Sequence, residues 1–251
     1  MTICIIGNSH IVALKDAADG FPRPLSYFWA PGKELQGVIV KDGKLVGGTK
    51  KLRDRFAKWS AAGRDVQIEV DLEASSAFVV VGLGLSPLDL AKSYASVRLF
   101  NHMGRGMTMV SDDCLEEILV ARIRSTWAFK IARLLRGSSD KPIIVVAQPA
   151  PMETGKTVVP QSAQEQKKKS HLQVLDDVTV GESLLPIYER ALARAAVSEN
   201  VIAVAQPATT MIGVRTKAEY QSKPDDHRHG NKAYGAHVLG RLKSEFEAIG
   251  L

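Results

Sequence analysis

Five short stretches of this chain are almost wholly apolar, and helical spacing governs much of what lies between them. Ile3–Gly7, Leu25–Ala30, Ala77–Gly82, Pro142–Ala147 and Val201–Ala205 each read as a β-strand. The last three are unbroken runs rich in β-branched residues, the pattern of parallel strands covered on both faces. Gly37–Gly48 is different. It alternates around Asp42-Gly43 and predicts an exposed hairpin appended to the sheet.

The clearest helical signal is Asp112–Arg136, where Leu115, Leu119, Ile123, Trp127, Ile131 and Leu135 follow one another at intervals of four. Ser111 is placed to cap its start and Gly137 to end it. Glu182–Val197 predicts a second helix, with Pro186 tolerable only in the first turn. A third carries Val238, Leu242 and Phe246 behind an Asn231 N-cap. Strand and helix alternate throughout. The expected fold is therefore a single α/β domain over residues 1–251, a three-layer α/β/α sandwich with a mostly parallel five-stranded sheet. The order 2-1-3-4-5 is expected from the flavodoxin-like class and not from the sequence itself. One stretch does not fit a compact core. Residues 150–177 are polar, carry prolines and leave from the carboxyl edge of the fourth strand, where a lid or binding loop is expected.

Composition narrows the class without changing the picture. The 251 residues are 45% apolar and 24% charged, as in ordinary soluble globular proteins. The 33 basic and 27 acidic residues leave a net charge of +6, spread along the chain. Lys167–Lys169 is the one dense basic run and has no interleaved aromatics, so it reads as a solvated loop and no nucleic-acid partner is expected. Cys4 and Cys114 are too few for a disulfide framework and read as reduced core thiols. No apolar run approaches the roughly 18 residues of a membrane helix, and no basic segment precedes the first strand. The expectation is a cytoplasmic protein without membrane association. Oligomeric state is not legible here.

Ser9 follows the first strand and so sits at the carboxyl edge of the sheet, where open α/β folds bind ligands. By itself it reads more readily as a helix cap. As a nucleophile it needs a base held in one tautomer by a carboxylate. Of six histidines only His229 has an aspartate three residues ahead of it, Asp226, and their loop precedes the last helix and so reaches the same edge from about 220 residues away. His227-x-His229 also resembles part of a metal site, but no third ligand cluster accompanies it, and no metal is expected. Gly82-x-Gly84 begins like a dinucleotide-binding turn, yet Pro87 stands where the third glycine belongs. No cofactor is expected either. His10 adjoins Ser9 and reads as a structural residue at a helix start.

Gly7-Asn8-Ser9-His10 resembles the first sequence block of the SGNH (GDSL-type) hydrolases, with Asn8 in place of the usual aspartate. Asp226-His227-Arg228-His229-Gly230-Asn231, followed by Tyr234-Gly235, is similar to that family's last block. The resemblance implies Ser9 as nucleophile, His229 as base and Asp226 as the group that orients it. It also implies an oxyanion hole made from the Ser9 N–H, a glycine N–H after strand two, and an asparagine side chain after strand three. Gly32 matches the second position. At the third, Val81-Gly82-Leu83-Gly84-Leu85-Ser86 has no asparagine and leaves the Gly84 N–H as the donor. The implied activity is removal or transfer of a short acyl group from a hydroxylated substrate such as a sugar or small metabolite. A second class stays open, a binding or regulatory protein that keeps the fold but turns over little.

Overall fold

A computed structural model of the chain describes residues 2–31, 34–63, 67–94, 97–99, 108–153, 178–224, 226 and 228–251. In chain order its strands are β1 (Thr2–Gly7), β2 (Leu25–Trp29), β3 (Val38–Lys41), β4 (Lys44–Gly47), β5 (Glu69–Asp71), β6 (Ser75–Val81), β7 (Val97–Leu99), β8 (Thr108–Val110), β9 (Ile143–Val146) and β10 (Ile202–Val204). Five of them form one sheet in the order β10-β9-β6-β1-β2, and every pairing in it is parallel. Numbered by appearance among those five, this is the order 2-1-3-4-5.

The two-residue period of the strands explains why both faces are covered. Ile3, Ile5, Val79, Val81, Ile144 and Val146 point to one side. There they pack with Ile11 and Leu14 of helix α1 (Ile11–Asp16) and with Val238, Leu242 and Phe246 of the C-terminal helix Lys232–Ala248. Cys4, Ile6, Phe78, Val80, Ile143 and Val145 point to the other, against Leu119, Phe129, Leu135, Tyr188 and Leu192. Each such aliphatic or aromatic side chain contributes about 1.5–3 kcal/mol on burial, which makes this register hard to slip. The result is a three-layer α/β/α sandwich.

The appended hairpin is β3–β4, antiparallel, with β5 against β4. Its turn residues Asp42 (φ 52°) and Gly43 (φ 71°) are both left-handed, the geometry that matches strand twist in a two-residue loop. Helix α2 (Lys50–Ala61), capped by the Thr49 side chain, follows, and α3 (Leu88–Tyr94) comes after β6.

Three expectations need correction. The stripe from Leu115 to Leu135 is carried by two helices, α4 (Asp112–Ser125) and α5 (Trp127–Arg136). Thr126 between them is extended at ψ 158°; its hydroxyl donates to Ile123 O and accepts from Phe129 N–H, closing one helix and opening the next. The second helix on this face spans Val178–Ser198, so Pro186 lies inside it and not in its first turn. Pro186 sits on the exposed side, while Leu184, Ile187, Tyr188, Ala191, Leu192 and Ala195 are buried. That packing outweighs the one amide bond a proline removes. Cys4 is a core thiol, pushed up to about 12 by burial against an opposing hydrogen bond from Ser26. Cys114 is exposed, because in the first turn of α4 it points away from the face that Leu115 buries. Residues 154–177, which include Lys167–Lys169 and most of the expected lid, lie outside the described residues.

Candidate active site

β1 is the central strand of the site edge. Its last residue, Gly7, pairs with Trp29 on one side and Val81 on the other. A Cβ at Gly7 would stand 2.5 Å from Val81 O, so only glycine lets the chain turn out of the sheet here. Asn8 and Ser9 form that turn. Asn8 Oδ1 accepts from His10 N–H at 3.3 Å, and His10, not Ser9, occupies the N-cap position of α1 without capping it through its side chain. The Ser9 hydroxyl is therefore free to point elsewhere.

It meets His229. Ser9 Oγ lies 2.8 Å from His229 Nε2, and His229 Nδ1 lies 2.8 Å from Asp226 Oδ2 and 3.0 Å from Oδ1. The carboxylate fixes the proton on Nδ1, which leaves the Nε2 lone pair to accept from the serine hydroxyl. The loop that carries this pair is held closely. Ser222 N–H donates to His229 O and Asn231 N–H to Tyr220 O, while Asn231 Nδ2 donates to Glu219 O at 2.7 Å. Asn231 Oδ1 caps the C-terminal helix by accepting from Tyr234 N–H. Gly235 lets that helix touch the backbone of α1 at Ala13, where any Cβ would collide. The two ends of the chain are thus locked together next to Ser9.

Asp226 accepts hydrogen bonds from four groups in the loop. Partial desolvation works to raise its pKa, but hydrogen bonds from Arg228 N–H, the Ser222 hydroxyl, the His229 ring and His229 N–H outweigh it and hold the carboxyl at about 2. It is an anion wherever the protein is folded near neutrality.

After β6 the backbone runs left-handed through three residues, Gly82 (φ 72°), Leu83 (φ 51°) and Gly84 (φ 85°). The turn is fastened by Gly82 N–H to Val146 O, Leu85 N–H to Gly82 O and Ala128 N–H to Leu83 O. The last of these explains the break before α5, whose first turn reaches this loop. A Cβ on Gly82 would stand 2.8 Å from Asn8 Oδ1 and 3.1 Å from His10 Cδ2, so the turn lies directly against the serine segment. Gly84 is exposed and its N–H takes no part in the backbone hydrogen bonds of the described residues. Gly32 falls outside the described residues, as does His227. No group of three His, Cys, Asp or Glu side chains converges on a metal position among the described residues.

Sequence reasoning missed two participants. Ser222 binds Asp226 Oδ2 at 2.9 Å, and nothing in its local sequence marks it. His10 is 8% exposed and its ring centroid is 4.9 Å from that of His229, with the planes inclined at 33°. Its adjacency to Ser9 was the available signal.

No protein-family model matches the sequence, and no curated protein matches it. Solved structures are similar over nearly the whole chain at low identity. An extracellular lipase from Streptomyces rimosus is 8% identical with a TM-score of 0.43, covering 97% of this chain and 99% of that one. The periplasmic domain of a lipopolysaccharide acetyltransferase from Salmonella ser. Paratyphi A is 11% identical with a TM-score of 0.41, covering 98% and 83%. A phospholipase A1 from Streptomyces albidoflavus NA297 is 9% identical with a TM-score of 0.39, covering 97% and 98%. Among the described residues no helix is long and apolar enough to cross a membrane.

Proposed function

We propose that this chain is a serine ester hydrolase or acyltransferase of the SGNH kind, with Ser9 as nucleophile, His229 as general base and Asp226 as the group that orients it. The observation that carries the reading is the continuous relay from Ser9 Oγ through both nitrogens of His229 to Asp226, with 2.8 Å at each end. In the first half-reaction Ser9 Oγ attacks the ester carbonyl carbon as His229 Nε2 takes the hydroxyl proton. The resulting imidazolium is stabilised by Asp226 and returns the proton to the departing alcohol, leaving an acyl-Ser9 ester. In the second, His229 deprotonates water or another hydroxyl, which attacks the acyl carbon and regenerates Ser9.

The oxyanion is assigned to backbone donors: the N–H of Ser9, that of Gly84 on the left-handed turn, and that of Gly32. The substrate class is a short acyl ester of a sugar or small metabolite. Because the turn after β6 lacks an asparagine side chain, a weakly active binding or regulatory protein is the second reading. A fluorophosphonate probe separates the two. Labelling is expected to map to Ser9 and to vanish in Ser9→Ala and His229→Ala. Well-folded wild-type protein that takes no label overturns the hydrolase reading.

A further inference from the structure

The ring of His10 is sealed in beside the relay, yet nothing in the chemistry above uses it. Its Nδ1 is fully buried and has no hydrogen-bond partner among the described residues. What the ring does have is contact on two sides. Gly82 leaves just enough room for it, since a Cβ there would come within 3.1 Å of His10 Cδ2. On its other side His229 stands at a centroid distance of 4.9 Å. The ring is therefore a spacer between the left-handed turn after β6 and one face of the imidazole that binds Ser9.

We propose that His10 is a positioning residue, whose flat ring holds His229 in line between Asp226 and Ser9 and keeps water from that face of the imidazole. This rests on the serine-hydrolase reading given above for its catalytic consequence, though the placement itself does not. Two hydrogen bonds hold the His229 ring at its nitrogens, and what packs on its faces limits how far χ1 and χ2 can swing it out of that line. His229 is about one third exposed, so one face needs cover from within the protein. His10 supplies that cover. Charge adds to the case: burial and then the nearby His229 push His10 down to about 3 against an opposing pull from Asp226, with Arg228 adding least. A neutral ring beside His229 leaves the imidazolium formed during acyl transfer without a like charge next to it.

The test compares His10→Ala with His10→Phe, which restores a flat ring without its nitrogens. Turnover of p-nitrophenyl acetate by His10→Ala is expected to fall in kcat by about tenfold to a hundredfold with KM changed less than about twofold, since the lost interaction acts through alignment in the transition state. His10→Phe is expected to recover most of that loss. In proton NMR the low-field Nδ1–H signal of His229 should be sharp in wild type and His10→Phe and broadened by solvent exchange in His10→Ala. Wild-type kcat in folded His10→Ala, or equal losses in both folded variants, overturns the proposal. If His10→Phe does not fold, the His10→Ala signal decides: a sharp Nδ1–H resonance overturns it and a broadened one supports it. Absence of any ester turnover in the wild type overturns the hydrolase reading instead, and the NMR comparison then still decides whether His10 holds His229.

Discussion

The loop that bears Asp226 and His229 and the turn through Gly82–Gly84 flank the same serine and are built on opposite principles. The first is fixed by side chains: Ser222, Asn231 and two main-chain N–H groups converge on it, and Asp226 alone accepts from four donors. The second is fixed by backbone, with three successive left-handed residues, two of them glycine. Side-chain networks set the direction and tautomer of a base. In the left-handed turn the Gly82 N–H is bonded to Val146 O, while the exposed Gly84 N–H takes no part in the backbone hydrogen bonds of the described residues. Under the proposed reading the two sides of Ser9 do different work, proton handling on one and charge acceptance on the other, and each side breaks in its own way.

The largest effect belongs to the side-chain face. Asp226→Asn keeps the shape of the loop but replaces an acceptor with a group that can present its amide to Nδ1, favouring the wrong tautomer of His229. A loss of about 10⁴ in kcat is expected, with the melting temperature lowered by only a few degrees, because the neutral amide keeps some but not all of the hydrogen bonds that Asp226 accepts. Unchanged ester turnover would remove Asp226 from the mechanism.

On the backbone face, Gly84→Ala meets no neighbour within 4 Å but must hold φ near 85°, a strain of about 1–2 kcal/mol. Relief of that strain rotates the N–H away, and loss of one oxyanion donor lowers kcat by about 10²–10³. Gly43→Ala in the distant hairpin is the control, equally uncrowded at φ 71°. Both variants should melt a few degrees lower, and only Gly84→Ala should slow the reaction. Equal kcat values for the two would take the Gly84 N–H out of the site.

Much of this was readable before the structure, and the division follows physics. The strands and the covering of both faces were legible because unbroken apolar runs such as Phe78–Val81 declare themselves in sequence, whereas strand order, set by pairings between distant segments, came only from the fold class. The meeting of Ser9 with Asp226 and His229 was legible because topology delivers both loops to one edge. The break at Thr126 was not, since a period of four continues across it, while the Thr126 hydroxyl bonds and the bond from Ala128 N–H to Leu83 O that end one helix and set the next show themselves only in the fold. Burial of His10 was equally hidden. A residue one step past Ser9 reads as a helix start, and its packing partner His229 lies 219 positions further on.

The smallest effect sharpens the contrast by isolating one bond of the side-chain network. Ser222→Ala removes a single donor to Asp226 Oδ2, which costs about 1 kcal/mol of stability near neutral pH because the acceptor is anionic and partly buried. The sign with pH follows from linkage. Asp226 is held at about 2 in the folded protein against an ordinary 3.8, so its network stabilises the fold fully above pH 4 and that contribution is lost as pH falls toward 2. In Ser222→Ala the folded carboxyl moves back toward 3.8, so the variant has less to lose on acidification. The difference in unfolding free energy between the two proteins should therefore be greatest at pH 6 and shrink steadily from pH 4 to pH 2.5 in urea titrations. His10, Arg228 and the remaining carboxylates are common to both proteins and cancel in that difference. A gap that stays constant over this range would mean that Ser222 stabilises the loop by packing and not through the charge on Asp226.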